Sequence, residues 1–169
     1  MEMSLVALIV LQDCKIALKL IENEDDSDIW RVHWAGAVAL LRAVGHVLHK
    51  VDSVEHPDLK QTIEAQFRVW NSDSSEHQIF RDFIDQERNS ILKEYTSSAH
   101  DGGLLPILIE QFPMTSDGDA QEKFESLDWL SQDIFRPRMQ GYRAGDDVRD
   151  IYSDAIDWWQ TELTKILAR

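Results

Sequence analysis

The placing of apolar residues between Trp30 and Val51 constrains this chain more than any other feature. Trp30, Trp34, Ala37, Leu41, Val44, Leu48 and Val51 recur at alternating spacings of four and three. At about 100° per residue that pattern keeps all of them on one helical face, whereas a strand would throw half to the opposite side. A stripe of this length is a helix–helix seam, so other helices must cover it. Gly36 and Gly45 lower the helix propensity of the segment and are predicted to mark places where a neighbouring backbone comes close.

The rest of the chain supplies those helices. Residues 4–22 carry Leu5, Leu8, Leu11, Ile16 and Leu20 around most of a helical circumference, the pattern of a buried helix. Glu22, Glu24, Asp25 and Asp26 end it, and Ser27 or Asp28 is the expected N-cap of the Trp30 helix. Pro57 is expected in the first turn of a third helix bearing Leu59, Ile63, Phe67 and Trp70. Ser75 with Gln78 has the form of a capping box, which predicts a fourth helix over 76–95 burying Phe80, Phe83, Ile84, Ile91 and Tyr95.

Glycines and prolines break the pattern over 96–147. There Phe124, Leu127, Leu130 and Ile134 form one helical face, while a hairpin near 135–142 competes with it. The last helix is expected to begin near Asp146 or Asp147, with Val148, Ile151, Tyr152, Ala155, Trp159, Leu163 and Ile166 inward. The fold class is therefore all-α. It is one domain over 1–169, a bundle of about five main helices with an irregular insertion before the last.

Charge narrows the function. Against 17 Lys and Arg stand 31 Asp and Glu, a formal charge of −14 over 169 residues. A general coat on duplex nucleic acid, or binding to an anionic membrane surface, needs the opposite sign. The longest apolar run, 5–11, is far short of the ~20 residues that cross a bilayer, and Glu2 stands where a secretory signal would be basic. One cysteine, Cys14, allows no internal disulfide, and a cytoplasmic location is expected.

The candidate site lies on the fourth helix. Arg88 falls one turn after Ile84 and three residues before Ile91, so its guanidinium borders the apolar stripe and must find partners. Those partners are either an acidic residue or carbonyl of another helix, or a phosphate held in a cleft by Arg88 and Asn89.

A helical bundle with Arg88-Asn89 late in a helix resembles the HEPN superfamily (higher eukaryotes and prokaryotes nucleotide-binding), marked by Arg, often Asn, and His four to six residues further on. Here Lys93 stands where that His is expected, and the longer spacing reaches only Tyr95. The resemblance implies a homodimer. In catalytic members it also implies a metal-independent ribonuclease of toxin or phage-defence type, several of them restrained by a nucleotidyltransferase-type antitoxin. Lysine, with an ordinary pKa near ~10.4, does not exchange protons at neutral pH as histidine near ~6.5 does. The departure therefore predicts a member that binds a nucleotide, RNA or a protein partner through Arg88, Asn89 and Lys93 without efficient catalysis. A ribonuclease using Arg88 and Asn89 with Lys93 or His100 in support is the enzymatic alternative. A structural interaction module, whose tryptophans and acidic face meet another protein, is the third.

Other constellations read as structure. His33, His46, His49 and His56 cluster loosely, and His46, His49 and Asp52 share helical spacing suited to zinc, but three-residue matches on a helix are cheap; no metal or cofactor is expected. Cys14 has apolar neighbours and is expected to be an inert packed thiol. Trp30, Trp34, Trp158 and Trp159 are expected in the core more than as a stacking platform for bases. Trp158 and Trp159 are adjacent, so at least one is expected to reach an interface or the irregular segment. Arg136, Arg138 and Arg143 form the only basic cluster and are expected in a charged, solvated loop.

Overall fold

Among the described residues, each of the five longer helices starts where a carboxylate or a turn satisfies its first N–H groups. A computed structural model describes residues 5–100 and 135–168. In it the helices are α1 (Val6–Glu22), α2 (Ser27–Val47), α3 (Lys60–Trp70), α4 (Gln86–Glu94) and α5 (Val148–Leu167), and no strand is found among the described residues. The helical face 124–134, with Phe124, Leu127, Leu130 and Ile134, lies outside them.

Asp26, not Ser27 or Asp28, caps α2: its Oδ1 accepts from the N–H of Asp28 at 2.9 Å and of Ile29 at 3.0 Å. Glu24 fixes that register by accepting from the Asp26 N–H at 2.9 Å. Asp147 caps α5 as expected, accepting from the Arg149 N–H at 2.9 Å. The start of α1 has no local cap, and a distant residue provides one: buried Asp52 accepts from Val6 N–H at 2.8 Å and Ala7 N–H at 3.0 Å.

The seam on α2 is formed as the spacing requires, with Trp30, Trp34, Ala37, Leu41, Val44 and Leu48 all buried. It departs from expectation at its end. A π-helical turn over Leu48–Asp52 carries the inward position on to Asp52, leaving Val51 half-exposed. α1 buries one face through Ala7, Leu11, Cys14, Ala17 and Ile21, while Ile9, Ile16 and Leu20 face outward, so it is not buried all round. Gly45 does mark a close approach, by an aromatic ring and not a backbone. A Cβ there would lie 2.7 Å from the Trp159 ring, whereas nothing lies within 4 Å of one at Gly36.

Pro57 sits in the turn before α3, not in its first turn. Ser74, not Ser75, caps the next segment, which opens as a 3-10 turn (Ser75–His77) and passes through a π-helical turn (Phe80–Asp85) before becoming α4. The capping box does not form because the 3-10 turn takes its place.

The core is aromatic, and its fully buried indoles and phenol have acceptors, whereas Trp158 Nε1 and His77 Nδ1 make no hydrogen bond among the described residues. Trp30 donates to Ile21 O at 3.0 Å, Tyr152 to Ala37 O at 3.0 Å and Trp159 to Leu41 O at 2.9 Å. Trp70 donates to the carboxylate of Glu162 on α5 at 2.6 Å; that carboxylate also accepts from Gln66 at 3.0 Å and Lys165 at 2.7 Å. Trp158 and Trp159 both enter this cluster against Trp70 and Phe80, so neither is needed at an interface.

The competing hairpin takes another form. Residues 136–138 lie extended between 98–100 on one side and 145–148 on the other, with His100 N–H on Pro137 O at 2.9 Å and Val148 N–H on Arg136 O at 3.0 Å. The return turn runs through Gly141 (φ 81°), Arg143 (φ 54°) and Gly145 (φ 97°), so residues 145–148, not those before 142, pair with the first arm.

Candidate functional site

The site begins where α4 stops. Tyr95 takes the left-handed position that glycine usually fills at a helix end, with φ 52°. Its N–H bonds to Ile91 O at 3.1 Å, the bond of an αL helix end, and the N–H of Thr96 bonds to Ser90 O at 3.3 Å. A side chain in this conformation costs about 1–2 kcal/mol. The turn swings the chain into a strap, residues 96–100, and leaves the Tyr95 ring out in solvent, not buried as its helical position predicts.

Glu87 holds the strap. Its Oε1 accepts from Ser97 Oγ at 2.8 Å, Ser98 N–H at 3.0 Å and Trp34 Nε1 at 3.3 Å, and its Oε2 accepts from the Ser98 hydroxyl. Trp34 Nε1 also donates to Ser97 Oγ at 3.0 Å, so α2, α4 and the strap converge on one carboxylate. Arg138 closes the arrangement from behind. Its Nη1 is 3.9 Å from Glu87 Oε2, its Nε donates to Gln140 O at 2.9 Å and its Nη2 to Asp82 O at 3.3 Å in the π-helical turn. Its guanidinium carbon lies 5.1 Å from the Phe83 ring centroid. Burial pushes the Arg138 pKa down, and Glu87 partly offsets that.

Two hollows flank the strap. On one side a cleft of about 330 Å³ lies between α2 and α4, its lining including Arg31, Trp34, Ile91, Tyr95 and His100 and, among the described residues, no carboxylate. Trp34 stacks on Trp30 at 5.4 Å between ring centroids, which fixes the plane of that wall. The Tyr95 hydroxyl first, and Asp28 after it, hold the Arg31 guanidinium protonated above its ordinary pKa. On the other side a polar cavity of about 280 Å³ is bounded by Glu87, Arg138 and several hydroxyl and amide side chains. Thr96 and Ser97 line both.

The predicted residues fall around this site unequally. Arg88 is half-buried and donates to Asn89 Oδ1 at 2.9 Å, which is its one hydrogen bond among the described residues and not a bond to another helix. Arg88 shares its face of α4 with Ile91 and Tyr95, both of which line the cleft. Lys93 is exposed and, five residues on in a regular helix, stands about 140° around the axis from Arg88. His100 lines the cleft.

The zinc-like spacing leads nowhere, because both oxygens of Asp52 are committed to the start of α1. Among the described residues no three His, Cys, Asp or Glu side chains gather as ligands would. Cys14 is fully buried, and burial pushes its thiol up to about 12, away from reactivity.

The basic cluster is the largest departure. Arg136 and Arg138 are each 3% exposed, not solvated, with Arg136 set 4.3 Å from the Trp30 ring centroid. Only Arg143 stays at the surface, paired with Asp146 at 2.6 Å and with Asp154. Glu87 was missed by sequence reasoning although a signal existed. It lies on the stripe Phe80, Ile84, Ile91, where an acidic residue must be paired if the helix is to bury that face. Glu162 on the stripe of Trp159, Leu163 and Ile166 carries the same signal. No protein family, no curated protein and no solved structure matches this chain.

Proposed function

We propose that this chain is a cytoplasmic, homodimeric HEPN-like helical protein that binds a nucleotide in the cleft between α2 and α4 without efficient catalysis. The observation that carries the reading is the charge of that cleft. Among the described residues no carboxylate lines it, while Arg31 does, its guanidinium 2.9 Å from the carboxylate of Asp28 outside the lining. A guanidinium suits a phosphate, and an exposed tyrosine ring suits a heterocyclic base. The left-handed backbone of Tyr95 fits this role, because such a cost persists where a side chain must be displayed. Inefficient catalysis follows from an ammonium at position 93 in place of imidazole, set well around the helix from Arg88.

The test is titration of the protein with the four nucleoside 5′-monophosphates, followed by tryptophan fluorescence and calorimetry. Saturable binding is expected, weakened about tenfold by Arg31→Ala and by Tyr95→Ala. The same protein incubated with labelled total RNA in EDTA is expected to leave it intact. Cleavage that disappears in Arg88→Ala would replace this reading with a metal-independent ribonuclease. Failure of the folded protein to bind any nucleotide would leave the interaction module. The size of the folded protein in solution tests the homodimer that the resemblance implies.

A further inference from the structure

Large apolar side chains of α1 and α2 stand open to solvent on one outward face of the bundle. They are Ile9, Ile16 and Leu20 on α1 and Ile29 and Val32 on α2, each between 48% and 61% exposed. At about 100° per residue the three on α1 fall within about 40° of one another, opposite the buried stripe of Ala7, Leu11 and Cys14. α1 is thus apolar on both sides, and one copy of the chain covers only one of them. On α2, Ile29 and Val32 share their side with Gly36, Ala39 and Ala43. The two stripes adjoin where α1 and α2 meet: Leu40, one turn from Gly36, packs against the core, and His33 lies 4.0 Å from Glu24 in the turn between the helices.

Charge selects the occupant. The chain carries a formal charge of −14, so two copies repel wherever their acidic surfaces meet. This face is different: its α2 stripe holds no charged residue, and on the outward side of α1 Asp13 is balanced by Lys19. A basic partner is drawn to the acidic surfaces instead, whereas a second copy escapes repulsion here and buries apolar area. Shape selects the same occupant. α1 presents a ridge of Ile9, Ile16 and Leu20, and α2 presents a shallow strip where Gly36, Ala39 and Ala43 leave the backbone nearly bare. A Cβ at Gly36 would find nothing within 4 Å. In a two-fold pair each copy lays its ridge on the other's strip, so one face serves as both halves of the contact. The close approach that Gly36 is expected to mark is then made by the second copy.

We infer that two copies of this chain pair through the outward face of α1 and α2, with the Ile9, Ile16 and Leu20 ridge of each seated over Gly36 of the other. The inference rests on the homodimer of the reading above and gives it a surface. It leaves the cleft open, because Arg31, Trp34 and Ala35 line that cleft from another side of α2.

Sedimentation of the full chain across a concentration series tests it, with helical circular dichroism confirming that each variant is folded. The wild type is expected to sediment as a dimer. Gly36→Leu fills a position that is empty in one copy, so it should leave the fold intact and raise the dimer Kd about tenfold. Ile16→Glu sets an unpaired charge in the contact and should raise it about a hundredfold. Leu92→Glu on α4, a comparably exposed apolar position away from this face, should leave it unchanged. A dimer that survives both Gly36→Leu and Ile16→Glu, or one that Leu92→Glu weakens equally, overturns this surface and leaves the homodimer standing. A monomeric wild type overturns both, and the nucleotide cleft is then judged by its own titration.

Discussion

Two buried glutamates, Glu87 and Glu162, meet tryptophan indoles in this protein and serve different ends. Glu162 accepts from Gln66 and Trp70 on α3 and from Lys165 on its own helix, so every partner is helical. It ties α5 to α3 inside the aromatic cluster. Glu87 accepts from Trp34 on α2 but otherwise from the strap, with an arginine of another irregular segment behind it. The same chemistry thus fastens two helices in one place and shapes a loop between two hollows in the other. A buried carboxylate holds whatever surrounds it; what it holds decides whether it serves stability or a site.

Removing Trp70 should give the largest effect and confine it to the first region. Trp70→Ala opens a cavity in the aromatic cluster and takes one donor from Glu162, at a cost of about 3–5 kcal/mol in urea unfolding. The nucleotide affinity of the folded fraction should be unchanged; a parallel loss of affinity would show that the regions are not independent. Arg138→Met leaves Glu87 buried beside an apolar side chain. Because the strap hydroxyls and amide still serve that carboxylate, the expected cost is smaller, about 2–4 kcal/mol, and adding Glu87→Gln should recover part of it. Here affinity should fall with stability, since the strap lines both hollows. Tyr95→Gly should have the smallest effect and the opposite sign. It relieves the left-handed backbone and stabilises by up to about 1 kcal/mol, while nucleotide binding weakens. A variant equally stable and equally able to bind would remove Tyr95 from the cleft's function.

The helices were legible in the sequence to different depths. The face of α2 and the inward residues of α5 follow from spacing alone, and both are buried as that spacing requires. The face of α1 was over-read, because a mostly apolar helix shows no contrast from which to choose the buried side. Val51 and Tyr95 fail for local reasons, a π-helical turn and a left-handed end, which apolar periodicity does not encode. The glutamates could have been found, since each interrupts an apolar stripe. Their partners could not, because nothing in the run of residues around Arg138 distinguishes it from the surface-paired Arg143.

The sequence by itself determined that this is a helical bundle, which residues form its α2 seam, and that its average charge opposes a nucleic-acid coat. Periodicity of three and four is a local property, readable from neighbours a turn apart. Only the tertiary structure decided that Arg136 and Arg138 are buried, that Asp52 caps α1, and that the strap stands between two hollows. Those outcomes depend on pairs such as Glu87 with Trp34 and with Arg138, far apart in the chain. A buried polar group takes whichever partner the packing of distant helices brings within hydrogen-bonding reach.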